Sequence, residues 1–330
     1  MDGEWSPRCE IPSDLVPPVP LDPSGRAGPT RGQAYGPRWR RTSPGLFVPA
    51  DVDGTRVEQR ILEQAARLNR YGAIGGWAAL RWRGAAYFDG TSPDGGSLPV
   101  PLAVGKECLR PDPAFVRLRR QLPRWEWNIH LGLPCVFWER AVFDEVQRVR
   151  NARGAAVALD MVVAAGLGSV DDFWSYLERE RPRNGVVLAR EVATLATGRF
   201  WSPQEARMGQ CWCLDALLPE PLFNVPVFDL HGNLLGIPDL FDPVAGVVGE
   251  YQGAVHRNAS QHRRDVERAE RFRGAGLEYF EVVAGQLKHP HTPTRMRQVR
   301  ARARFLSPDE RAWTLDEPAW WREREARRAS

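Results

Sequence analysis

The sequence predicts an α/β protein of the multi-domain α+β type, and three observations support this prediction. The chain has 330 residues, a length that suits two or three compact units, each able to bury its own core. Its composition, 43% apolar and 26% charged, is close to the globular average. Residues 200–306 carry the patterns of a helix, three strands, a helix and a strand, and this order is typical of a mixed sheet flanked by helices.

The first 103 residues predict a lead-in followed by a compact segment. Residues 1–28 are dense in proline and glycine, which predicts a flexible lead-in. Within residues 29–103, "RWRRTSPGLFVPA" alternates like a hairpin around a Ser-Pro-Gly turn. "TRVEQRILEQAARL" predicts a helix, because its apolar residues recur at helical spacing and Thr55 with Glu58 forms a capping box. "GGWAALRWRG" predicts a second, shorter helix.

Residues 104–198 are expected to form a small mixed α/β middle domain. The stretches "FVRLRRQL" and "PCVFW" have strand patterns, and "ERAVFDEVQRV" and "GAAVALDMVVAAG" have helical ones. The apolar surfaces of these helices need partners, so the segment is interpreted as a packing domain.

Residues 199–312 give the most informative pattern. A helix is expected to begin with Ser202 as its N-cap, Pro203 in the first turn and Glu205 three residues after the cap. Two strands around a His-Gly-Asn turn follow, and "GVVGEYQG" is a third. "SQHRRDVERAERFRGAG" predicts a basic amphipathic helix and "LEYFEVV" a closing strand. The C-terminal tail, residues 313–330, is expected to fray after packing three tryptophans onto the core: Trp313, Trp320 and Trp321.

Composition and charge exclude several classes of protein. No run approaches the roughly 18 apolar residues of a membrane helix, and the acidic N-terminus lacks the pattern of a secretory signal. A cytoplasmic protein without a membrane partner is therefore expected. Five scattered cysteines without a CxxC pair exclude a disulfide framework and a zinc site. The net charge of +4 is mild, so any affinity for nucleic acid must come from clustered charge.

The segment "GIPDLFDPVAGVVGEYQGAVHR", residues 236–257, carries the candidate chemistry. If residues 234–242 and 247–252 pair as antiparallel strands across a tight turn, Asp239 falls opposite or diagonal to Glu250, with side chains about 5–7 Å apart. Strand alternation then puts Gln252 on the same face as Glu250. Two carboxylates this close repel each other unless a cation lies between them, and oxygen ligands of this kind suit Mg²⁺ or Mn²⁺.

These residues resemble the PD-(D/E)XK nuclease superfamily, in which an aspartate and an acidic-x-lysine triplet on adjacent strands bind the catalytic metal. Pro238-Asp239 and Glu250-Tyr251-Gln252 match that order and spacing. "EYQGAVHR", the basic helix and "GLEYFEVV" are similar to small domains related to the very-short-patch-repair endonuclease. In those domains a helix glutamate just after an "SP" pair adds a carboxylate, and here that position is Glu205. The resemblance implies a restriction-endonuclease-like mixed sheet flanked by helices in residues 199–312.

The N-terminal half is similar to AbiEi-type antitoxin-like proteins, which occur fused to such nuclease-like domains in actinobacteria. This resemblance implies a winged-helix-like domain in residues 29–103 and the small mixed domain after it. Together the two resemblances cover most of residues 30–315.

The selected residues also have structural interpretations. Glu205 is either a metal ligand or only the capping-box partner of Ser202. Gln252 stands where the superfamily has lysine, and an amide can hydrogen-bond an attacking water but cannot supply positive charge. His256 is either a surface residue or a proton relay that lies next to the metal ligands without binding the metal. Asp239 and Glu250 favour function, because an unpartnered buried carboxylate costs several kcal/mol.

Two groups of arginines are candidate contacts to nucleic acid. "RWRR" is expected to touch backbone phosphates as the wing of a winged helix, through Arg38, Arg40 and Arg41. The basic helix region supplies three more: Arg257, Arg263 and Arg264. The acidic residues of that helix offer internal pairs, so a solvated face is the alternative interpretation.

The sequence therefore predicts a metal-dependent endonuclease that hydrolyses phosphodiester bonds in nucleic acid, with DNA the expected substrate. In this prediction Asp239, Glu250 and Glu205 bind Mg²⁺ or Mn²⁺, which lowers the pKa of a bound water, and Gln252 positions that water. The alternative is a catalytically inactive DNA-binding regulator or antitoxin-like protein that keeps the nuclease fold as a scaffold. The missing lysine favours this alternative.

Overall fold

The structure, a computed structural model, describes residues 5–105, 109–118, 120–179, 184–253 and 259–329. It is a mixed α/β fold that divides into two compact units, Met1–Gly198 and Arg199–Ser330. The described residues form four sheets. None of their helices combines the length and the apolar content that crossing a bilayer requires.

The first unit contains two sheets and six α-helices in its described residues. Its strands are β1 (Val19–Pro20), β2 (Trp39–Ser43), β3 (Leu46–Pro49), β4 (Ala73–Ile74), β5 (Val100–Ala103), β6 (Phe115–Leu118), β7 (Trp127–His130) and β8 (Leu133–Val136). Its helices are α1 (Val57–Ala65), α2 (Gly76–Trp82), α3 (Trp138–Val149), α4 (Ala152–Ala164), α5 (Val170–Arg179) and α6 (Val186–Leu195).

The hairpin predicted around "RWRR" is confirmed. Strands β2 and β3 pair antiparallel, and the turn between them contains Gly45 at φ +80°, a conformation that favours glycine. The capping box predicted for α1 is wrong. The hydroxyl of Thr55 donates to Asp53 at 2.6 Å, and the carboxylate of Glu58 accepts from Arg81 at 2.7 Å, so both side chains are engaged elsewhere.

The five-stranded sheet of the first unit crosses the predicted domain boundary between residues 103 and 104. Its order is β6-β5-β4-β8-β7, with β5 and β6 paired in parallel. One hydrophobic core continues from Ile61 to Ala196. The segments predicted as a winged-helix-like domain and a middle domain therefore share one sheet and one core, because the partner of β5 lies beyond the boundary.

The second unit contains the strands and helices of the most informative segment. In chain order they are α7 (Pro203–Gln210), β9 (Val227–Asp229), β10 (Leu234–Gly236), β11 (Leu240–Asp242), β12 (Val247–Gln252), α8 (Ala259–Gly274), β13 (Glu278–Val283), α9 (Thr292–Ala301), β14 (Trp313–Thr314) and α10 (Ala319–Ala329). The start of α7 is as predicted, with the Ser202 hydroxyl accepting from the amide of Glu205 at 3.3 Å.

The sheet β11-β12-β13 forms the centre of this unit. Strand β11 runs antiparallel to β12, and β12 runs parallel to β13. On one face Tyr279 stacks against Phe272 of α8, with ring centroids 6.3 Å apart. Because strand side chains alternate, Phe280 lies on the other face, where it stacks on Trp212 at 5.9 Å. Both faces of the sheet are therefore covered.

Two expectations for this unit were wrong in part. The single strand expected over residues 234–242 is two strands, because β10 pairs with β9 while β11 pairs with β12, and Pro238 between them has no amide hydrogen for a ladder. The C-terminus forms helix α10 instead of fraying. Trp313 and Trp321 are buried as expected, whereas Trp320 stays 45% exposed.

Candidate functional site

Three neighbouring strands bring acidic residues to one level of the sheet. Leu240 pairs with Gly249, so Asp239, which precedes β11, comes beside Glu250 of β12. Glu250 in turn pairs with Glu281 of β13. Paired residues on adjacent strands project to the same face. A row of three acidic residues therefore crosses the sheet on the face that α8 covers.

Asp239 is held in place by the strand beside it. Its Oδ2 accepts a hydrogen bond of 2.7 Å from the backbone amide of Tyr251. Burial raises the pKa of Asp239 to about 7, and the nearby carboxylate of Glu205 adds to the rise. The amide of Tyr251 and the guanidinium of Arg268 oppose it. The site thus holds Asp239 where its charged form is disfavoured unless a cation is present.

Glu250 is the most deeply buried member of the row. Its Oε2 lies 2.9 Å from Nη2 of Arg268 in α8. Its Oε1 is buried and has no hydrogen-bond partner among the described residues. Burial and then the charge of Asp239 raise the pKa of Glu250 well above its usual range, while Arg268 lowers it. One oxygen of this carboxylate is thus neutralised by an arginine and the other is unsatisfied.

Glu205 orders the start of α7. Its Oε2 accepts hydrogen bonds from the amide of Trp201 at 2.8 Å and from Nδ2 of Asn224 at 2.9 Å. Within the described residues no group of three His, Cys, Asp or Glu side chains is arranged to hold a metal ion. Glu205 lies close enough for its charge to raise the pKa of Asp239, and its role as a third metal ligand stays a prediction.

Gln252 ends β12 at the level next to the acidic row. It pairs with Val283, and its carbonyl accepts from the amide of Ala284 at 3.0 Å. Strand alternation places its side chain on the same face as Glu250. The structure therefore puts an amide beside the carboxylates at the position where the resembling superfamily has a lysine.

Sequence reasoning missed two members of the site, Glu281 and Arg268. Glu281 lies in the strand that the sequence predicted, but its position beside Glu250 depends on the parallel register. Its Oε1 accepts from the hydroxyl of Tyr279 at 2.9 Å, and burial raises the pKa of Tyr279 far above its usual range. Arg268 is one of several arginines on α8, and helical spacing alone does not single it out.

The three arginines of "RWRR", predicted to contact nucleic acid, lie in different environments. Arg40 is held by Glu63 through two hydrogen bonds of 2.7 and 3.0 Å, so its charge is already engaged. Arg38 is exposed. Arg41 lines a cleft of about 450 Å³ whose other lining residues are Thr42, Ser43, Pro44, Arg67, Arg110, Pro111 and Asp112.

The second arginine group is only partly described. Arg263 is 81% exposed and pairs with Glu267 at 2.8 Å, which fits the solvated-face interpretation. His256 and Arg257 lie outside the described residues, as does the side chain of Arg264.

Comparisons with known proteins give no relative: no family model, no curated protein and no solved structure matches the chain. The function is therefore inferred from the residues and geometry described above.

Proposed function

We propose that the protein is a divalent-metal-dependent endonuclease that hydrolyses phosphodiester bonds in DNA, with its active site in residues 199–312. The observation that carries the proposal is the pair Asp239 and Glu250, two neighbouring carboxylates on adjacent backbone segments, of which Glu250 is buried and Asp239 is half-buried. Two neighbouring carboxylates repel each other, and the described contacts supply one guanidinium, at Glu250, so a cation that joins both carboxylates would stabilise the pair.

The donor set fits a small, hard divalent cation. The unpartnered Oε1 of Glu250 is a buried acceptor, and carboxylate oxygens are the ligands that Mg²⁺ and Mn²⁺ prefer. Asp239 and Glu250 would hold the ion. Mg²⁺ usually keeps several waters and takes one or two carboxylates, so a third protein ligand is not required and Glu205 can stay with Trp201 and Asn224.

The order of elements also supports a nuclease-like domain. Helix α7, strands β11 and β12, helix α8 and strand β13 follow one another, and helices cover both faces of the sheet. This is the arrangement that the resemblance to the PD-(D/E)XK superfamily implies. The winged-helix-like assignment for residues 29–103 stays a prediction, supported by the β2–β3 hairpin and by the arginine-lined cleft at its turn.

The chain's own residues prepare the site for hydrolysis. A bound metal supplies charge stabilisation at the phosphate and lowers the pKa of a water. The amide of Tyr251 fixes Asp239, and Gln252 offers an amide that can hydrogen-bond the attacking water. The water oxygen forms the new P–O bond and loses its proton to solvent, the bond to the leaving sugar oxygen breaks, and that oxygen takes up a proton.

A test combines metal binding with cleavage. Purified wild-type protein should bind Mn²⁺ in isothermal titration calorimetry and nick supercoiled plasmid DNA with Mg²⁺ or Mn²⁺. Glu250→Gln and Asp239→Asn should each lower the cleavage rate by about 1,000-fold or more and weaken metal binding. Glu270→Gln removes an exposed carboxylate on the same helix as Arg268 and should change neither. Wild-type protein that neither binds Mn²⁺ nor nicks any DNA contradicts the proposal.

A second function, a DNA-binding regulator without catalysis, is favoured by one observation. Arg268 already neutralises Glu250, and residue 252 carries no charge. In this case DNA binding measured by mobility shift persists in EDTA, and Asp239→Ala leaves it unchanged. Loss of Mn²⁺ binding in Asp239→Ala, together with loss of nicking, supports the endonuclease instead.

A further inference from the structure

We propose that Arg268 supplies the positive charge at the scissile phosphate and that it leaves Glu250 when metal binds. This inference rests on the proposed endonuclease function and adds a catalytic residue to it. Arg268 reaches the site from α8, the helix over the acidic row, with Nη2 2.9 Å from Glu250 and 3.5 Å from Asp265. The guanidinium of Arg268 thus brings positive charge to a site where the side chain of Gln252 has none.

The ion pair between Arg268 and Glu250 is incomplete on both sides. Nε of Arg268 is buried without a hydrogen-bond partner among the described residues, and so is Oε1 of Glu250. A buried polar group left without a partner costs about 1–3 kcal/mol. Atoms without a partner also occur in an ion pair of the first unit, where Nη2 of Arg140 and Oδ2 of Asp144 are buried without a hydrogen bond among the described residues. The Arg268–Glu250 pair differs from it because a second acidic residue, Asp239, lies beside Glu250, and because Arg268 is 33% exposed whereas Arg140 is 0% exposed.

The two unsatisfied atoms call for opposite partners. The Nε–H of Arg268 needs an acceptor, and an oxygen of a phosphodiester is a strong one that a guanidinium binds in a forked geometry. Oε1 of Glu250 needs a cation. A metal ion together with a phosphodiester supplies both partners at once. With both bound, Nε of Arg268 and Oε1 of Glu250 would each have the partner that they lack in the protein alone.

The position of Arg268 allows it to change partners. Its side chain is 33% exposed, whereas that of Glu250 is 4% exposed. A long arginine side chain with one end near solvent can shift toward a substrate, while the buried carboxylate stays in place. Arg268 and the metal therefore compete for Glu250 in the free protein, and they act together once the phosphate is bound.

This competition gives a signature that a purely structural arginine lacks. Arg268→Met should raise the affinity for Mn²⁺ alone several-fold, because the competing cation is gone. The same change should lower the single-turnover cleavage rate by about 100- to 1,000-fold, the range for removing one preorganised donor. Arg268→Lys keeps the charge without the fork and should fall between Arg268→Met and wild type in cleavage rate.

The experiment measures Mn²⁺ binding by calorimetry and plasmid nicking under single-turnover conditions for the full chain. Arg302→Met is the matched control, because Arg302 pairs with Glu278 at the other end of β13 at 2.6 Å. Far-UV circular dichroism checks that each variant is folded. Tighter Mn²⁺ binding with slower cleavage in Arg268→Met, and unchanged values in Arg302→Met, support the inference.

Three outcomes overturn it. Wild-type cleavage in Arg268→Met removes Arg268 from the reaction and leaves the proposed endonuclease function intact. Equal loss of Mn²⁺ binding in Arg268→Met and Arg268→Lys shows a structural role only. Wild-type protein without Mn²⁺ binding removes the proposed function and the inference with it.

Discussion

Both units of the molecule bury carboxylates, but the pair Asp239 and Glu250 in the second unit has less positive charge beside it than the carboxylates of the ion pairs in the first unit. In residues 1–198, five carboxylates that are at most 7% exposed each meet a guanidinium. The pairs are Glu58 with Arg81, Glu63 with Arg40, Glu126 with Arg120 and Arg140, Asp144 with Arg140, and Glu145 with Arg148. In residues 199–330, Asp239 and Glu250 lie side by side with one arginine at Glu250.

The difference shows which buried charges belong to the fold and which indicate a ligand. The same chain buries carboxylates with guanidinium partners in its first unit, so its sequence is rich enough in arginine to pair them. The second unit also pairs a buried carboxylate in this way, Asp242 with Arg300 at 2.7 Å, so the incomplete compensation of Asp239 and Glu250 is specific to their site. Buried ion pairs add little net stability, yet breaking one is costly because it leaves a charge without a partner.

The largest effect is expected from removing a guanidinium that neutralises buried carboxylates in the first unit. Arg140 is 0% exposed and bridges Glu126 and Asp144. Arg140→Met leaves two buried carboxylates short of positive charge and should destabilise this unit by about 3–5 kcal/mol. Urea unfolding followed by circular dichroism measures the change. Arg302→Met, which removes a mostly exposed arginine, serves as control, and equal midpoints for the two variants contradict the role given to Arg140.

A smaller effect, with opposite signs in the two units, is expected from neutralising a carboxylate without metal at pH 8. Glu126→Gln removes a carboxylate that two arginines, Arg120 and Arg140, contact, and it should destabilise the protein by about 2 kcal/mol. Asp239→Asn removes a disfavoured charge while its side-chain oxygen can still accept from Tyr251. It should stabilise the protein on the order of 1–2 kcal/mol.

Thermal unfolding in EDTA compares these two variants directly, and added Mn²⁺ should stabilise wild type more than Asp239→Asn. Destabilisation of both variants to the same extent shows that Asp239 is paired as well as Glu126 is, and removes the contrast between the units.

The smallest effect is expected at Asp160, a buried carboxylate of the first unit that is bonded to backbone amides and, among the described residues, not to an arginine. Asp160 accepts from the amides of Thr197 at 2.9 Å and Gly198 at 2.7 Å, and burial raises its pKa to about 7. The native state then holds a proton that the unfolded chain, with a pKa near 4, releases. The stability from Asp160 is complete below about pH 4 and is lost as pH rises through about 7.

Asp160→Asn should flatten this part of the stability profile between pH 4 and pH 8 by about 1 kcal/mol or more. Urea unfolding at several pH values measures it, with the exposed Asp171→Asn as control. Parallel profiles for wild type and Asp160→Asn show that Asp160 does not titrate in this range.

Much of the second unit could be predicted because its signals are local. The Ser202 cap of α7, the β9–β10 hairpin, helix α8 and strand β13 follow from spacing, turn residues and caps within a few positions of each other. The proximity of Asp239 and Glu250 could be predicted for the same reason, since the short turn between β11 and β12 sets their register.

The residues that complete the site could not be predicted in this way. Glu281 reaches Glu250 through a parallel pairing across α8, and a crossover of that length leaves the register open. The choice of Arg268 for Glu250 depends on how α8 rotates over the sheet, which many arginines on one helix do not define. The ion pair between Arg40 and Glu63 could not be predicted for a similar reason, because it joins a strand to a helix. Arg40 was expected to contact nucleic acid.

By itself the sequence determined the local elements and the neighbouring carboxylates on one hairpin, because short-range sterics and strand alternation fix them. Only the tertiary structure decided which charges are neutralised, that Glu205 bonds Trp201 and Asn224, and that Arg268 meets Glu250. Those outcomes depend on the packing of helices against sheets. Burial there increases the free-energy cost of an unpaired oxygen or a broken ion pair, and distant parts of the chain compete for the same partner.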